Sequence, residues 1–176
     1  MKKITTLLVV FLLAFSFTSC NDDSLQSYLV KSQEKSGIIT FDVPSSILQI
    51  KSDDISAETK ATLQSIKKVN VVAMPLKDNA AEVEAERAQL AKILKRKEYK
   101  SIMRFTEKNI KVSMYYTGDA DAIDELIMFG YGAKQGVGIA RILGDGMNPS
   151  KIMKMMNDVK FDGSGINLDQ FKVLLK

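Results

Sequence analysis

The chain has 176 residues, 45% of them hydrophobic and 26% charged, which suits one domain with a real core, is too short for two, and excludes wholesale disorder. Its formal net charge is +4 from 25 basic and 21 acidic residues, and without Lys2 and Lys3 in the N-terminal segment the balance falls to +2, which gives no electrostatic case for nucleic acid. There is no histidine and no tryptophan, so the commonest general base and the commonest metal ligand are both missing.

Lys2 and Lys3 make a short positive start to the chain. An apolar run of 14 residues follows, Ile4 to Phe17, interrupted only by Thr5, Thr6 and Ser16. That is short of the roughly 20 residues a membrane-spanning helix needs. It fits the apolar region of an export signal, with the small Ser19 just before Cys20. Cys20 is the sole cysteine, so in an exported chain it is reactive, intermolecular or modified. Phe17-Thr18-Ser19-Cys20 resembles the lipobox of bacterial lipoproteins, although Phe17 stands where leucine is more usual. That resemblance implies a signal peptide over residues 1–19, a diacylglyceryl thioether on Cys20, and an acylated new N-terminus carrying a fatty acid such as palmitate. Two or three fatty chains hold a protein stably to a membrane, where one does so only marginally. Asn21-Asp22-Asp23 resembles the acidic tags that send some such lipoproteins to the cell surface. The alternatives are a soluble secreted chain with a chance cysteine and an uncleaved membrane helix; length disfavours the second.

Residues 20–36 read as a lipidated N-terminus and polar tether, with a short helical turn around Leu25 to Lys31. The domain is expected over residues 37–160. Gly37 to Val43 is β-branched and aromatic and ends at Pro44, which reads as a strand. Pro44 suits a helix start, giving a short helical stretch over Ser45 to Ile50. Asp53-Asp54 and Ser56 mark another, with Thr59, Leu63 and Ile66 at helical spacing through Lys68. Val69 to Leu76 reads as a buried strand. Asn79 to Lys97 is the clearest helix: Glu82, Glu84 and Glu86 crowd its first half and Lys92, Lys95, Arg96 and Lys97 its end, complementing the helix dipole. Val83, Leu90, Ile93 and Leu94 form its apolar stripe.

Four strands follow. Tyr99 to Thr106 and Ile110 to Thr117 are separated by a hairpin-sized gap. Ile123 to Tyr131 and Gly136 to Leu143 flank the turn Gly132-Ala133-Lys134-Gln135. Asn148 and Pro149 look like the cap and first residue of a last helix, with Ile152, Met155, Met156 and Val159 on one face. Residues 161–176 form a C-terminal segment, Gly-rich and then amphipathic. The order β-α-β-α-β-β-β-β-α predicts an α+β domain: a mixed or antiparallel sheet of about six strands with helices packed on one face.

The strand running into a proline-started helix, Phe41-Asp42-Val43-Pro44-Ser45-Ser46-Ile47-Leu48, and the late Asp124-Glu125-Leu126 step resemble an uncharacterised lipoprotein family of Bacteroidota-type bacteria, domain of unknown function 4252. The resemblance covers most of the mature chain and rests on core and turn residues. It implies a lipid-anchored envelope protein and carries no known activity.

Candidate chemistry is sparse. Gly130-Tyr131-Gly132-Ala133-Lys134-Gln135-Gly136 approaches a dinucleotide loop, but its third glycine comes one residue late, and a hairpin explains the glycines better. Asp162-Gly163-Ser164-Gly165 resembles the middle of a calcium loop, yet Lys160 and Phe171 occupy ligand places, so a plain turn is preferred. Asp119, Asp121, Asp124 and Glu125 are the best catalytic candidates, since paired carboxylates can run hydrolysis or hold a hard cation, but acidic residues are common at turns. Met153, Met155 and Met156 suggest soft-metal ligation or, by default, core filler. Lys95-Arg96-Lys97 with Lys100 could meet anionic headgroups, or simply complement a helix end. Ser32-Gln33-Glu34-Lys35 matches a Ser-x-x-Lys pattern inside the expected tether. The resulting expectation is a non-catalytic, lipid-anchored cell-envelope protein at the outer membrane, held through Cys20, with no cofactor, no metal and no nucleic acid, serving as an interaction or structural module. A carboxylate-dependent hydrolase would need two of its acids converging in a cleft. A small-ligand carrier would need a closed apolar cavity.

Overall fold

The computed structural model describes residues 24–44, 56–107 and 109–158. Cys20, the stretch Ser45 to Ile50, and the calcium-loop look-alike at Asp162 lie outside the described residues. The first element, α1 (Leu25–Ser32), starts where the Ser24 hydroxyl accepts a bond from the Ser27 N–H at 3.0 Å, an N-cap that satisfies one of the helix's orphan donors. Its Leu25, Tyr28, Leu29 and Ser32 recur at helical spacing and are all buried. Residues expected within a tether therefore supply a face of the packed core.

Strand β1 (Ile39–Pro44) precedes helix α2 (Ala57–Ser65), whose N-cap Ser56 accepts from the Thr59 N–H at 3.1 Å, with Glu58 in the positive first turn. α2 gives way directly to β2 (Ile66–Pro75), so this strand begins three residues earlier than the pattern suggested. Pairing of Lys68 and Val69 with Leu143 and Ile142 draws the start of β2 into the sheet, with a bulge between Ile66 and Lys68. Helix α3 (Ala80–Ile93) turns Glu86, Leu90 and Ile93 inward at i, i+4 and i+7. The meander is β3 (Lys100–Glu107), β4 (Ile110–Asp119), β5 (Ala122–Gly132) and β6 (Gly136–Met147). Helix α4 (Pro149–Asp158) begins as expected, with Asn148 Oδ1 accepting from the Lys151 N–H at 3.1 Å and Pro149 where a missing N–H costs nothing.

The six strands form one sheet in the order β1-β2-β6-β5-β4-β3, every neighbour antiparallel. The α+β class, six strands and meander stand as expected. The helices, however, divide between two faces. Side chains alternate along a strand, and Ile127 and Phe129 of β5 join a core with α1 and α3, while Leu126 joins a second core with α2 and α4. β5 is apolar in both phases because it is covered on both sides at its centre.

Tyr28 is buried in the first core beside Glu86. Burial first, and then the Glu86 carboxylate, hold its phenol well above the ordinary 10.0. A raised phenol favours the neutral form in the fold. Its contribution is thus complete below about pH 10 and is lost as pH climbs toward the folded-state value. Tyr28→Phe is expected to flatten the fall of the urea midpoint between about pH 10 and 12. An unchanged slope would contradict this placement.

Candidate functional site

Cross-strand register sorts the sheet into rows. On the face carrying α2 and α4, one row runs Ile39, Ala73, Gly138, Gly130, Val112, Phe105 across all six strands. The next runs Phe41, Val71, Ala140, Met128, Met114, Met103, and the third Val43, Val69, Ile142, Leu126, Tyr116, Lys100. The helices cover the third row's end of the face: Val43, Leu63, Ile66, Leu126, Ile152 and Met155 share one core. The first row and part of the second lie outside that core: Ile39, Met103 and Phe105 on the two edge strands are 37%, 43% and 43% exposed, while Ala73 in the middle of the first row is buried.

The open half is concave because of its residue sizes. Ala73, Gly138 and Gly130 make a low floor across three adjacent strands, with Ile39 on one flank and Val112 and Phe105 on the other. An open cleft of about 250 Å³ lies over this floor, lined by Val71, Ala73, Ile110, Val112, Met128 and Ala140 among others. Every side chain in the two rows is apolar. Such a surface binds by burial of hydrophobic area, with the strands' periodicity setting the shape. A carrier was expected to show a closed cavity, and this cleft is open instead.

The β5–β6 hairpin closes one end of the cleft. The sequence's glycine cluster is this hairpin: Gly132 pairs with Gly136 and residues 133–135 form the turn. Gly136 has φ +108°, and a Cβ there would stand 2.1 Å from the Met74 carbonyl oxygen, so the position admits only glycine. On the opposite face, a second cleft of about 380 Å³ includes Glu84, Arg87, Asn109, Lys111 and Tyr131. Arg87 and Lys111 lie 5.2 and 5.8 Å from the Tyr131 ring centre, and Arg87 is also bound by Glu84.

Beneath α1 the opposite face holds a polar network. Arg141 Nε donates to Glu125 Oε2 at 3.0 Å, Nη2 to Oε1 at 2.6 Å, and Nη1 to Gln26 Oε1 at 2.6 Å. Beside it, buried Asn70 donates to Asp42 Oδ1 at 2.6 Å and Lys68 Nζ lies 2.8 Å from Asp42 Oδ2. Burial works to raise the Asp42 carboxyl, but the Lys68 and Asn70 hydrogen bonds and the Lys68 charge outweigh it and hold the group below its ordinary 3.8. Every member has a partner, as a buried structural network requires.

The carboxylates singled out in the sequence do not converge. Asp119, Asp121 and Asp124 are exposed at the β4–β5 turn, while Glu125 faces inward and is held by Arg141. Among the described residues no group of three or more acidic or cysteine side chains could hold a metal ion. Of the methionines, Met155 is core filler, and Met153 is 37% exposed. Arg96 pairs with Glu98, and Lys100 donates to the Gly118 carbonyl at 2.7 Å, so the basic run is partly tied down. Ser32 donates to the Tyr28 carbonyl at 2.8 Å while Lys35 pairs with Glu86, so the Ser-x-x-Lys match is not a catalytic pair. Sequence reasoning missed the open apolar half-face and the Arg141 network. The alternation of small residues at Ala73, Gly130, Gly138 and Ala140 within apolar strands was the signal available for the first.

Comparison with curated proteins and with solved structures gives no match. A family profile described as Domain of unknown function (DUF4252) matches residues 28–155, from the buried Tyr28 of α1 to the buried Met155 of α4. Since that span takes in all six strands and most of the chain, the protein belongs to the DUF4252 family.

Proposed function

We propose that this DUF4252 protein is a lipid-anchored cell-envelope protein of a Bacteroidota-type bacterium, and that its α+β domain is a non-catalytic interaction module. The observation that carries the module reading is the apolar half-face spanning all six strands. Soluble domains seldom leave so continuous an apolar surface without a use for it. The splayed acids at Asp119, Asp121 and Asp124 and the sequestered Glu125 support binding over hydrolysis.

The anchor rests on Cys20, directly after an apolar run too short to span a bilayer. Residues 1–19 would be removed and Cys20 would carry the lipid, placing the domain at the outer membrane. In whole cells, Cys20→Ala or globomycin is expected to leave the precursor uncut and, for the variant, to abolish lipid labelling of the protein. Unchanged processing and unchanged labelling would sink the anchor.

A further inference from the structure

We infer that β3 is a pairing edge for a second copy of this chain: two β3 strands meet antiparallel about a two-fold axis through Phe105, joining two six-stranded sheets into one. The inference goes beyond the half-face reading, because the contact is made by the main chain of a sheet edge and adds an oligomeric partner.

β3 is the last strand in the order β1-β2-β6-β5-β4-β3 and is paired on one side, with β4. Its other side presents the N–H and C=O groups of a sheet edge. Every residue from 100 to 106 is exposed, and no residue of β3 belongs to either core. The helices pack chiefly on β2, β5 and β6. Yet β3 carries Ile102, Met103 and Phe105, three of the six large apolar side chains that are exposed among the described residues. Apolar side chains clustered on one strand and serving neither core are those expected to be buried on association. The opposite edge differs. β1 is shorter, buries Val43 in a core, and ends at Pro44, which has no N–H to give to a ladder.

The register favours a second copy over a foreign strand. The bulge between Ser101 and Met103 ends the regular run, so a new ladder is confined to residues 103–107. Within it, alternation puts Met103 and Phe105 on one face and Arg104 and Thr106 on the other. A two-fold axis normal to the sheet keeps each face on its own side, so it sets one residue opposite itself. Through Arg104 it would place two guanidinium groups directly opposite, which is unfavourable. Through Met103 it would run the ladder into the bulge. Through Phe105 it places Phe105 against Phe105, with each Met103 diagonal to the other copy's ring, and Arg104 against Thr106 twice. The apolar row from Ile39 to Phe105 then runs on through Phe105, Val112 and Gly130 of the second copy. Such a ladder is smaller than the roughly 1,200–2,000 Å² of a standard interface, so the dimer is expected to depend on concentration.

The test uses residues 20–176 with Cys20→Ala as the parent. Sedimentation velocity over a range of concentrations is expected to show a monomer–dimer equilibrium. Phe105→Lys, a change at an exposed position that sets two ammonium groups opposite each other, is expected to raise the dissociation constant about tenfold or more. The register is read by mild oxidation, where an introduced thiol is the only one because Cys20 is the sole cysteine. Phe105→Cys is expected to give a disulfide-linked dimer, since directly opposite Cβ atoms lie about 4.5–5.5 Å apart, near a disulfide's span. A mixture of Arg104→Cys with Thr106→Cys chains is expected to link faster than either alone. A monomer at every concentration would overturn the pairing while leaving the half-face open to other partners. A dimer whose dissociation constant is unchanged by Phe105→Lys, or that gives no link through Phe105→Cys, would overturn it too. Efficient linkage of Ile39→Cys chains to Phe105→Cys chains would mean head-to-tail stacking of β1 on β3 and would overturn the two-fold arrangement.

Discussion

Glu125→Ala is expected to destabilise the domain by about 3–5 kcal/mol, the cost of stranding a buried charge. The Arg141 side chain is 9% exposed and that of Glu125 18%, and two parallel hydrogen bonds join them. Without the carboxylate, the guanidinium keeps only Gln26 as a side-chain partner from this network. The pair is not itself a large net source of stability, because removing two charges from water offsets most of their attraction. The double variant Glu125→Leu with Arg141→Met should therefore recover most of the loss. Urea denaturation of the three proteins reads both statements. If Glu125→Ala is as stable as the parent, Arg141 is not confined as described.

The second large effect is expected from Ile127→Ala, at about 2–5 kcal/mol. Ile127 is fully buried at the middle of β5, in the core with Leu90 and Ile93 of α3 and with Leu25 and Leu29 of α1. Truncation loses the transfer free energy of the removed carbons and leaves a cavity that two helices on a rigid sheet cannot fully close. Ile127→Val should cost about 0.5–1.5 kcal/mol. Equal and small losses for both, read from denaturant midpoints at constant slope, would contradict the packing of α1 and α3 on this strand.

Much of this architecture was legible in the sequence because it is locally encoded. The meander strands are β-branched and aromatic runs of ordinary length separated by turn residues, and α4 announces itself through Asn148 and Pro149. α1 was harder to read. Its core-facing residues are embedded among Ser, Gln and Lys in a helix of eight residues, and a short helix of that kind is fixed by what it packs on rather than by propensity. The two-faced arrangement was present in Leu126-Ile127-Met128-Phe129, where both phases are apolar, and a sheet covered on one side alone would have alternated.

The candidate site was the least legible part, and the reason is geometric. The row from Ile39 to Phe105 is assembled from six strands whose register is settled only on folding. Gly130 and Gly138 looked like a ligand loop in one dimension and become part of a low apolar floor in three. Glu125 stood in an acidic turn in the sequence, yet the alternation of β5 turns it inward to Arg141, away from Asp124. The acids were visible, but the direction each one points was not.

The account depends most on what is bonded to the sulfur of Cys20. Intact and N-terminal-peptide mass spectrometry of the protein purified from native membranes examines that bond directly. The expected result is a chain that begins at Cys20 and carries the added mass of a diacylglyceryl group, with a further acyl group on its amine. A chain that begins elsewhere, or a Cys20 that bears a free thiol, would contradict the account.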